Sequence, residues 1–275
     1  MIAGAGTMGS GIALSAALGG YTVILFDVYD AVLQKAKAAI ESNLQFLLSK
    51  QKISGDEAIN TSNRISFTSN IADCKADLVI EAIIEKLDAK ISLLLQMAKV
   101  NKEDTILATN TSSLSVNAIQ QQLPNPGRVI GMHFFNPANI MKLVEVIKGA
   151  HTNEQTLKVI TDVCVSMGKT PAICADAPGF IVNRVARHFY LESLLIAEKN
   201  LAQPGQIDIA LEAAGFKMGA FKLMDLIGID VNFAVTTSLY DAFNKAERFK
   251  PSPLQKQKIE DGDLGRKTGK GFFTY

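Results

Sequence analysis

Gly4-Ala5-Gly6-Thr7-Met8-Gly9 stands three residues into the chain and runs on as Ser10-Gly11-Ile12-Ala13, small and apolar residues with helical character. The spacing is GxGxxG. The first glycine permits a tight turn, the second a close approach of phosphate, and the third packs the following helix against a strand. The helix then points its N-terminal amides, those of Thr7 and Met8 among them, at the bound anion. Such a motif alone is weak, so its surroundings decide. The run Thr22–Asp27 (TVILFD) reads as the next strand, and Asp27 falls 18 residues after Gly9. At that distance a carboxylate grips a ribose 2′-hydroxyl and repels a 2′-phosphate, which selects NAD over NADP. One departure stands out. Only Met1-Ile2-Ala3 precede Gly4, against the usual five or six residues of a strand. Either residues are missing ahead of Met1 or the first strand is unusually short, and a weakened central strand is expected.

Working outward, β-rich runs alternate with helical ones. Asp30 opens a helix to about Lys50, with Val32, Leu33, Ala36, Ala39, Ile40, Leu44 and Leu47 at helical spacing. Ile65–Thr68, Leu78–Glu81 and Ile106–Asn110 read as strands, with a helix over Leu87–Val100 between the last two. Val129–Phe134 and Leu143–Ile147 lie close enough in sequence to pair antiparallel, Asn153 caps a helix, and Pro171–Ala175 reads as an edge strand. After Asp176-Ala177-Pro178-Gly179 the pattern turns wholly helical: Phe180–Asn200, Gln206–Ala214, Met224–Phe243 and Pro253–Glu260. The predicted fold is α/β, a Rossmann-type doubly wound sheet followed by an all-helical C-terminal domain. The domains are expected at 1–176, binding NAD, and 177–275, for substrate and dimerisation.

Composition narrows the function. With 48% hydrophobic and 20% charged residues the chain is not intrinsically disordered. Its 28 basic and 27 acidic residues nearly cancel, which leaves no global field for a nucleic acid. No apolar run reaches the roughly 18 to 20 residues of a membrane span, and no secretory signal pattern is present. Cys74, Cys164 and Cys174 are odd in number and without metal-ligand spacing, so reduced thiols and no metal site are expected. These features predict a soluble, cytosolic protein.

His133, in Gly131-Met132-His133-Phe134-Phe135-Asn136-Pro137, ends a strand, where α/β sheets present residues to ligands. Glu145 lies mid-strand in Leu-Val-Glu-Val-Ile, where burial demands a partner. Antiparallel pairing would set it beside His133, fixing the tautomer and stabilising the protonated ring. Taken alone, the two read better as a satisfied core histidine and an edge charge, and the motifs that follow change that balance. His151 reads as a surface residue, and His188, with Arg184 and Arg187, as part of a solvated or interface face.

GAGTMGSGIA, NTSSLS, GMHFFNP, MKLVEVI, PGFIVNR and GRKTGKGFF occur in one order from Gly4 to the end. Together they resemble the 3-hydroxyacyl-CoA dehydrogenase family, most closely its bacterial 3-hydroxybutyryl-CoA branch. The resemblance implies NAD-dependent interconversion of a 3-hydroxyacyl-CoA and a 3-ketoacyl-CoA. It makes His133 the general base, Glu145 its orienting partner, Ser112 the serine near substrate oxygen and nicotinamide, and Asn183 the amide that positions substrate oxygens in a cleft closed between domains. It adds Glu85, Lys90, Asn110, Asn136 and Lys267 to the cofactor contacts. For coenzyme A the candidates are Asn43, Lys50 and Lys52, which serve equally well as helix-surface groups. Ala220 departs from the family's usual proline, and a more flexible loop is expected there. Of apolar positions such as Leu191, Leu194, Leu195, Phe233 and Tyr240 some must form the helical domain's core, and the rest suggest a homodimer through it.

Three other readings compete. A β-hydroxyacid dehydrogenase would rely on a second-domain lysine rather than the His133–Glu145 pair. A non-catalytic NAD-binding relative, structural or sensing, would have no need of His133, Glu145, Ser112 and Asn183 together. A piece of a larger fatty-acid oxidation protein remains compatible with the short N-terminus.

Overall fold

The computed structural model describes residues 1–275 and divides into two units, Met1–Ala177 and Pro178–Tyr275. In the first, strands and helices alternate: β1 (Ile2–Ala3), α1 (Thr7–Leu18), β2 (Val23–Phe26), α2 (Asp30–Ser49), α3 (Gly55–Asn63), β3 (Ile65–Thr68), β4 (Leu78–Glu81), α4 (Leu87–Val100), β5 (Ile106–Thr109), α5 (Val116–Gln120), β6 (Val129–Phe134), β7 (Leu143–Lys148), α6 (Glu154–Ser166) and β8 (Thr170–Ala175). One eight-stranded sheet results, in the order β3-β2-β1-β4-β5-β6-β7-β8. β1 to β6 are parallel, β7 turns antiparallel to β6, and β8 runs parallel to β7 at the edge. The order reverses at β1, which makes the carboxyl ends of β1 and its neighbours a ligand crevice.

Both faces of this sheet are covered, as parallel sheets require. Alternate strand residues feed two separate cores. Ile2, Leu25, Ile80, Ile106 and Ile130 pack with α1, α2 and α6 through Ile12, Ile40 and Ile160. Phe26, Val79, Leu107 and Val129 pack with α4 and α5 through Leu94, Met97 and Ile119. The short first strand is bonded on both sides: Ile2 and Ala3 pair with Leu25 and Phe26 of β2 and with Ile80 and Glu81 of β4. Gly4 extends the pairing through its amide to the Phe26 carbonyl.

The second unit holds α7 (Val182–Glu198), α8 (Pro204–Ala213), α9 (Ala220–Ile227), α10 (Ile229–Ala242) and α11 (Pro253–Glu260). Its core gathers Tyr190, Leu194, Ile207, Phe221, Met224 and Ile229. Several sequence expectations are corrected here. The single helix expected over Met224–Phe243 is two, α9 and α10, because Gly228 at φ 104° breaks the helical path. Of the apolar positions named for this domain, Leu194 is one that forms its core. Arg187 is buried, not solvated: its Nη1 donates to the Asn232 carbonyl, Asn232 Oδ1 and Thr236 Oγ1. Ala220 is the buried first residue of α9, not a loose loop. The Asp208 carboxylate accepts the amides of Phe221 and Lys222 and so caps that helix. In the first unit, α3 was not foreseen. It is short and polar, and only the reciprocal Ser54–Glu57 capping box announces it.

The fingerprint glycines divide their work sharply. A Cβ on Gly9 would lie 1.8 Å from the Gly4 carbonyl oxygen, and one on Gly4 would lie 2.7 Å from that of Ala82. A Cβ on Gly6 would meet nothing within 4 Å. Gly9→Ala should therefore cost about 2 kcal/mol or more of stability by overpacking α1 against β1. Gly6→Ala should cost under about 1 kcal/mol. Guanidinium unfolding of the two variants measures the contrast.

Candidate active site

The site is built where strands of the first unit end. Gly4 leaves β1 at φ 104°, and the chain turns at Gly6 into α1. The open side of Gly6 and the first-turn amides of α1, which have no intrahelical partners, form a cradle suited to an anion. Asp27 follows β2 and holds this loop: Oδ2 accepts the Ala5 amide at 2.9 Å and Oδ1 the Tyr29 amide at 3.1 Å. Each oxygen keeps further acceptor capacity for a ribose hydroxyl. The donor set and the room at Gly6 fit a dinucleotide.

Past β4 the chain supplies Glu85, whose Oε1 accepts the Thr111 hydroxyl at 2.6 Å and the amides of Ser112 and Ser113 at 2.8 and 3.0 Å. The hydroxyls of Ser112 and Ser113 point to the same oxygen at 3.1 Å. Burial raises the Glu85 carboxyl, but the Lys90 ammonium, the Thr111 hydroxyl and the Ser112 amide outweigh it and hold it below the ordinary carboxylate value. Lys90 itself has no exposed surface, with its side chain between Glu81 and Glu85. With no surface of its own, Lys90 does not meet a cofactor directly, which corrects that expectation. The far end of the serine turn is tied by Asp176, whose Oδ2 accepts the Ser115 hydroxyl and the Asn117 amide. Ser115 caps α5.

At the end of β5, Asn110 donates its amide to the Glu81 carbonyl and accepts the Phe134 amide on Oδ1 at 2.8 Å. It thereby stitches β5 to the last residue of β6, beside His133. His133 and Glu145 are direct partners in the β6–β7 ladder, and His133 Nδ1 lies 2.7 Å from Glu145 Oε2. Glu145 is fully buried and His133 is 6% exposed. On the same face two residues earlier, a Cβ on Gly131 would strike Ile147 at 2.7 Å, so glycine there keeps the ladder close. The Phe135 ring lies 4.5 Å from the imidazole, centroid to centroid.

Asn136 is exposed in the turn that follows. This turn is anchored at Ala138, whose carbonyl accepts Ser15 Oγ and the buried Lys169 Nζ. Asn139 Nδ2 donates to Asn43 Oδ1 at 2.9 Å, bringing that α2 residue to the same loop. Lys50 and Lys52 are exposed at and beyond the end of α2. The structure thus brings together Asp27 with the glycine loop, Glu85 with Ser112, and Asn110 with the His133–Glu145 strand pair. Asn183, on the first turn of α7, and Lys267, ion-paired to Asp230 at 2.6 Å, belong to the second unit. Sequence reading missed Glu81, Thr111, Asp176 and Lys169. Of these only Glu81 carried a usable signal, a carboxylate at the end of an apolar strand.

Comparison with known proteins gives the family. The profile of the 3-hydroxyacyl-CoA dehydrogenase NAD binding domain matches residues 1–177, and that of the C-terminal domain matches residues 179–275. The chain is 44% identical over its whole length to 3-hydroxyadipyl-CoA dehydrogenase of Escherichia coli, but spans only 58% of that protein. It is 37% identical to mitochondrial hydroxyacyl-coenzyme A dehydrogenase of Sus scrofa, covering 100% of this chain and 90% of the relative. The crystal structure of (S)-3-hydroxybutyryl-CoA dehydrogenase from Ralstonia eutropha superposes with a TM-score of 0.96 at 36% identity, covering 100% of this chain and 97% of that one. With an NAD cradle at the switch point and both domain profiles matched end to end, the chain belongs to the 3-hydroxyacyl-CoA dehydrogenase family of NAD-dependent oxidoreductases.

Proposed function

We propose that the chain interconverts a 3-hydroxyacyl-CoA and the corresponding 3-ketoacyl-CoA, with short acyl chains of the 3-hydroxybutyryl type as substrate. The observation that carries this reading is the His133–Glu145 pair at the carboxyl end of β6. Glu145 accepts the Nδ1 proton and so directs Nε2 to the substrate. In oxidation Nε2 takes the proton of the 3-hydroxyl, and the charge that develops on the ring rests against a buried carboxylate. In reduction the same nitrogen returns it. The dinucleotide supplies the two-electron acceptor for C3. Ser112 and Asn183 position the substrate oxygen. Gly4, Gly6, Thr7, Met8 and Gly9 hold the pyrophosphate and Asp27 the ribose. Glu85, Asn110, Asn136 and Lys267 serve the nicotinamide half, with Lys90 acting through Glu85. Asn43, Lys50 and Lys52 take the coenzyme A.

The second unit presents Val185, Leu201, Ile209, Phe216 and Val231 to solvent, apolar surface that suits a homodimer. A monomeric mass by light scattering at micromolar concentration would contradict that assembly. Three unpaired cysteines, two of them buried, support a reducing, cytoplasmic setting.

Loss of NADH absorbance on adding acetoacetyl-CoA tests the activity. The wild type should turn over, and His133→Ala should lose about 10² to 10⁴ in kcat. NADH binding without turnover would favour a non-catalytic, structural or sensing protein. Asp27→Asn keeps an acceptor for the Ala5 amide while removing the charge. It should raise kcat/KM with NADPH about tenfold and lower it with NADH. An unchanged NADH to NADPH ratio would remove Asp27 from cofactor selection.

A further inference from the structure

Glu81 takes no part in the reaction just described, yet it is a carboxylate with no exposed surface at the end of a central strand. Burying such a charge costs several kcal/mol unless it is paired and hydrogen-bonded. Glu81 is both. Its Oε2 accepts the Thr109 hydroxyl at 2.6 Å, and its Oε1 accepts the Ile83 amide and the Lys90 ammonium, each at 2.7 Å. Lys90 also reaches Glu85 Oε2 at 3.2 Å and the Ile83 carbonyl at 3.4 Å. The other oxygen of Glu85 gathers the Thr111-Ser112-Ser113 turn. A continuous polar path therefore runs from the interior of the sheet to Ser112.

The physical content of this path is the division of one ammonium between two carboxylates. Lys90 is long and flexible, and with Glu85 as its only counter-ion its buried charge would draw that carboxylate inward. Glu81, held rigidly by β4 and by Thr109 on β5, takes part of the ammonium and fixes where it sits. Glu85 Oε2 is then fixed in turn, and Oε1 is left facing the amides of the serine turn.

We propose that Glu81 is a positioning residue, acting through Lys90 and Glu85 to set the turn that carries Ser112. Its kinetic consequence rests on the function proposed above; its structural consequence does not. Glu81→Gln is close to isosteric and keeps an acceptor for the Ile83 amide and for Lys90. Amide hydrogen exchange at Ser112 and Ser113 should speed up about tenfold in Glu81→Gln and in Lys90→Met, with Lys90→Arg restoring protection. Unchanged protection in both variants overturns the proposal, whether or not the protein turns over substrate. In kinetics, Glu81→Gln should lower kcat about tenfold in the wild-type background and less than twofold in Ser112→Ala. Equal losses in the two backgrounds overturn the link to Ser112. A wild type that fails to reduce acetoacetyl-CoA refutes the proposed function instead, and the exchange measurement still decides the positioning role. If Glu81→Gln does not fold, Thr109→Val removes one bond to Glu81 and is read by the same two measurements.

Discussion

A carboxylate with no surface must find a partner within the fold, and Glu145 finds His133 directly across a strand ladder. That pairing exists only because β7 reverses direction against an otherwise parallel run from β3 to β6. A one-residue slip in register would turn Glu145 to the opposite face of the sheet and strand its charge among the apolar residues there. Gly131 guards the register by leaving room for Ile147, and Asn110 fixes the end of β6 by accepting the Phe134 amide. The sheet's topology and the histidine's chemistry are thus one constraint seen at two scales.

The same logic recurs along the crevice. Asp27 holds the glycine loop through the Ala5 amide, Glu85 the serine turn, Asp176 the start of α5, and Asp208 the start of α9. In each case a carboxylate accepts backbone N–H groups that would otherwise be unpaired, and an irregular segment becomes a defined one. The loop after His133 uses the opposite sign. There the buried Lys169 ammonium, its pKa lowered by desolvation, collects the carbonyls of Ala138 and Met141. Binding loops on a rigid sheet need such ties because their own sequence offers too little apolar surface to pack.

Much of this was legible in the sequence. The glycine spacing, the apolar strands and the carboxylate at the end of β2, each weak alone, point together to the doubly wound sheet. Glu81 shows where the reading stopped short, since the argument that singled out Glu145 applies equally to an acid closing Leu78–Glu81. Its partner Lys90 was expected only as a cofactor contact, because periodicity does not reveal which polar side chain turns inward. Helix α3 lacks an apolar stripe, and the break at Gly228 depends on backbone geometry that tolerates either a continuous or a broken helix at the level of pattern. Arg187 was misplaced for a related reason: in a helical domain the packed face is decided by neighbours distant in sequence, not by spacing along one helix.

The account turns on one proton. In the proposed mechanism Glu145 accepts from Nδ1, so the neutral His133 ring carries its hydrogen there and leaves Nε2 as the base. Nitrogen-15 NMR of the histidine side chains at alkaline pH reads this directly. The account predicts that His133 shows a protonated Nδ1 with a strongly downfield hydrogen and an unprotonated Nε2, and that Glu145→Gln abolishes that hydrogen's downfield shift. A His133 ring protonated at Nε2, with Nδ1 bare, would contradict it.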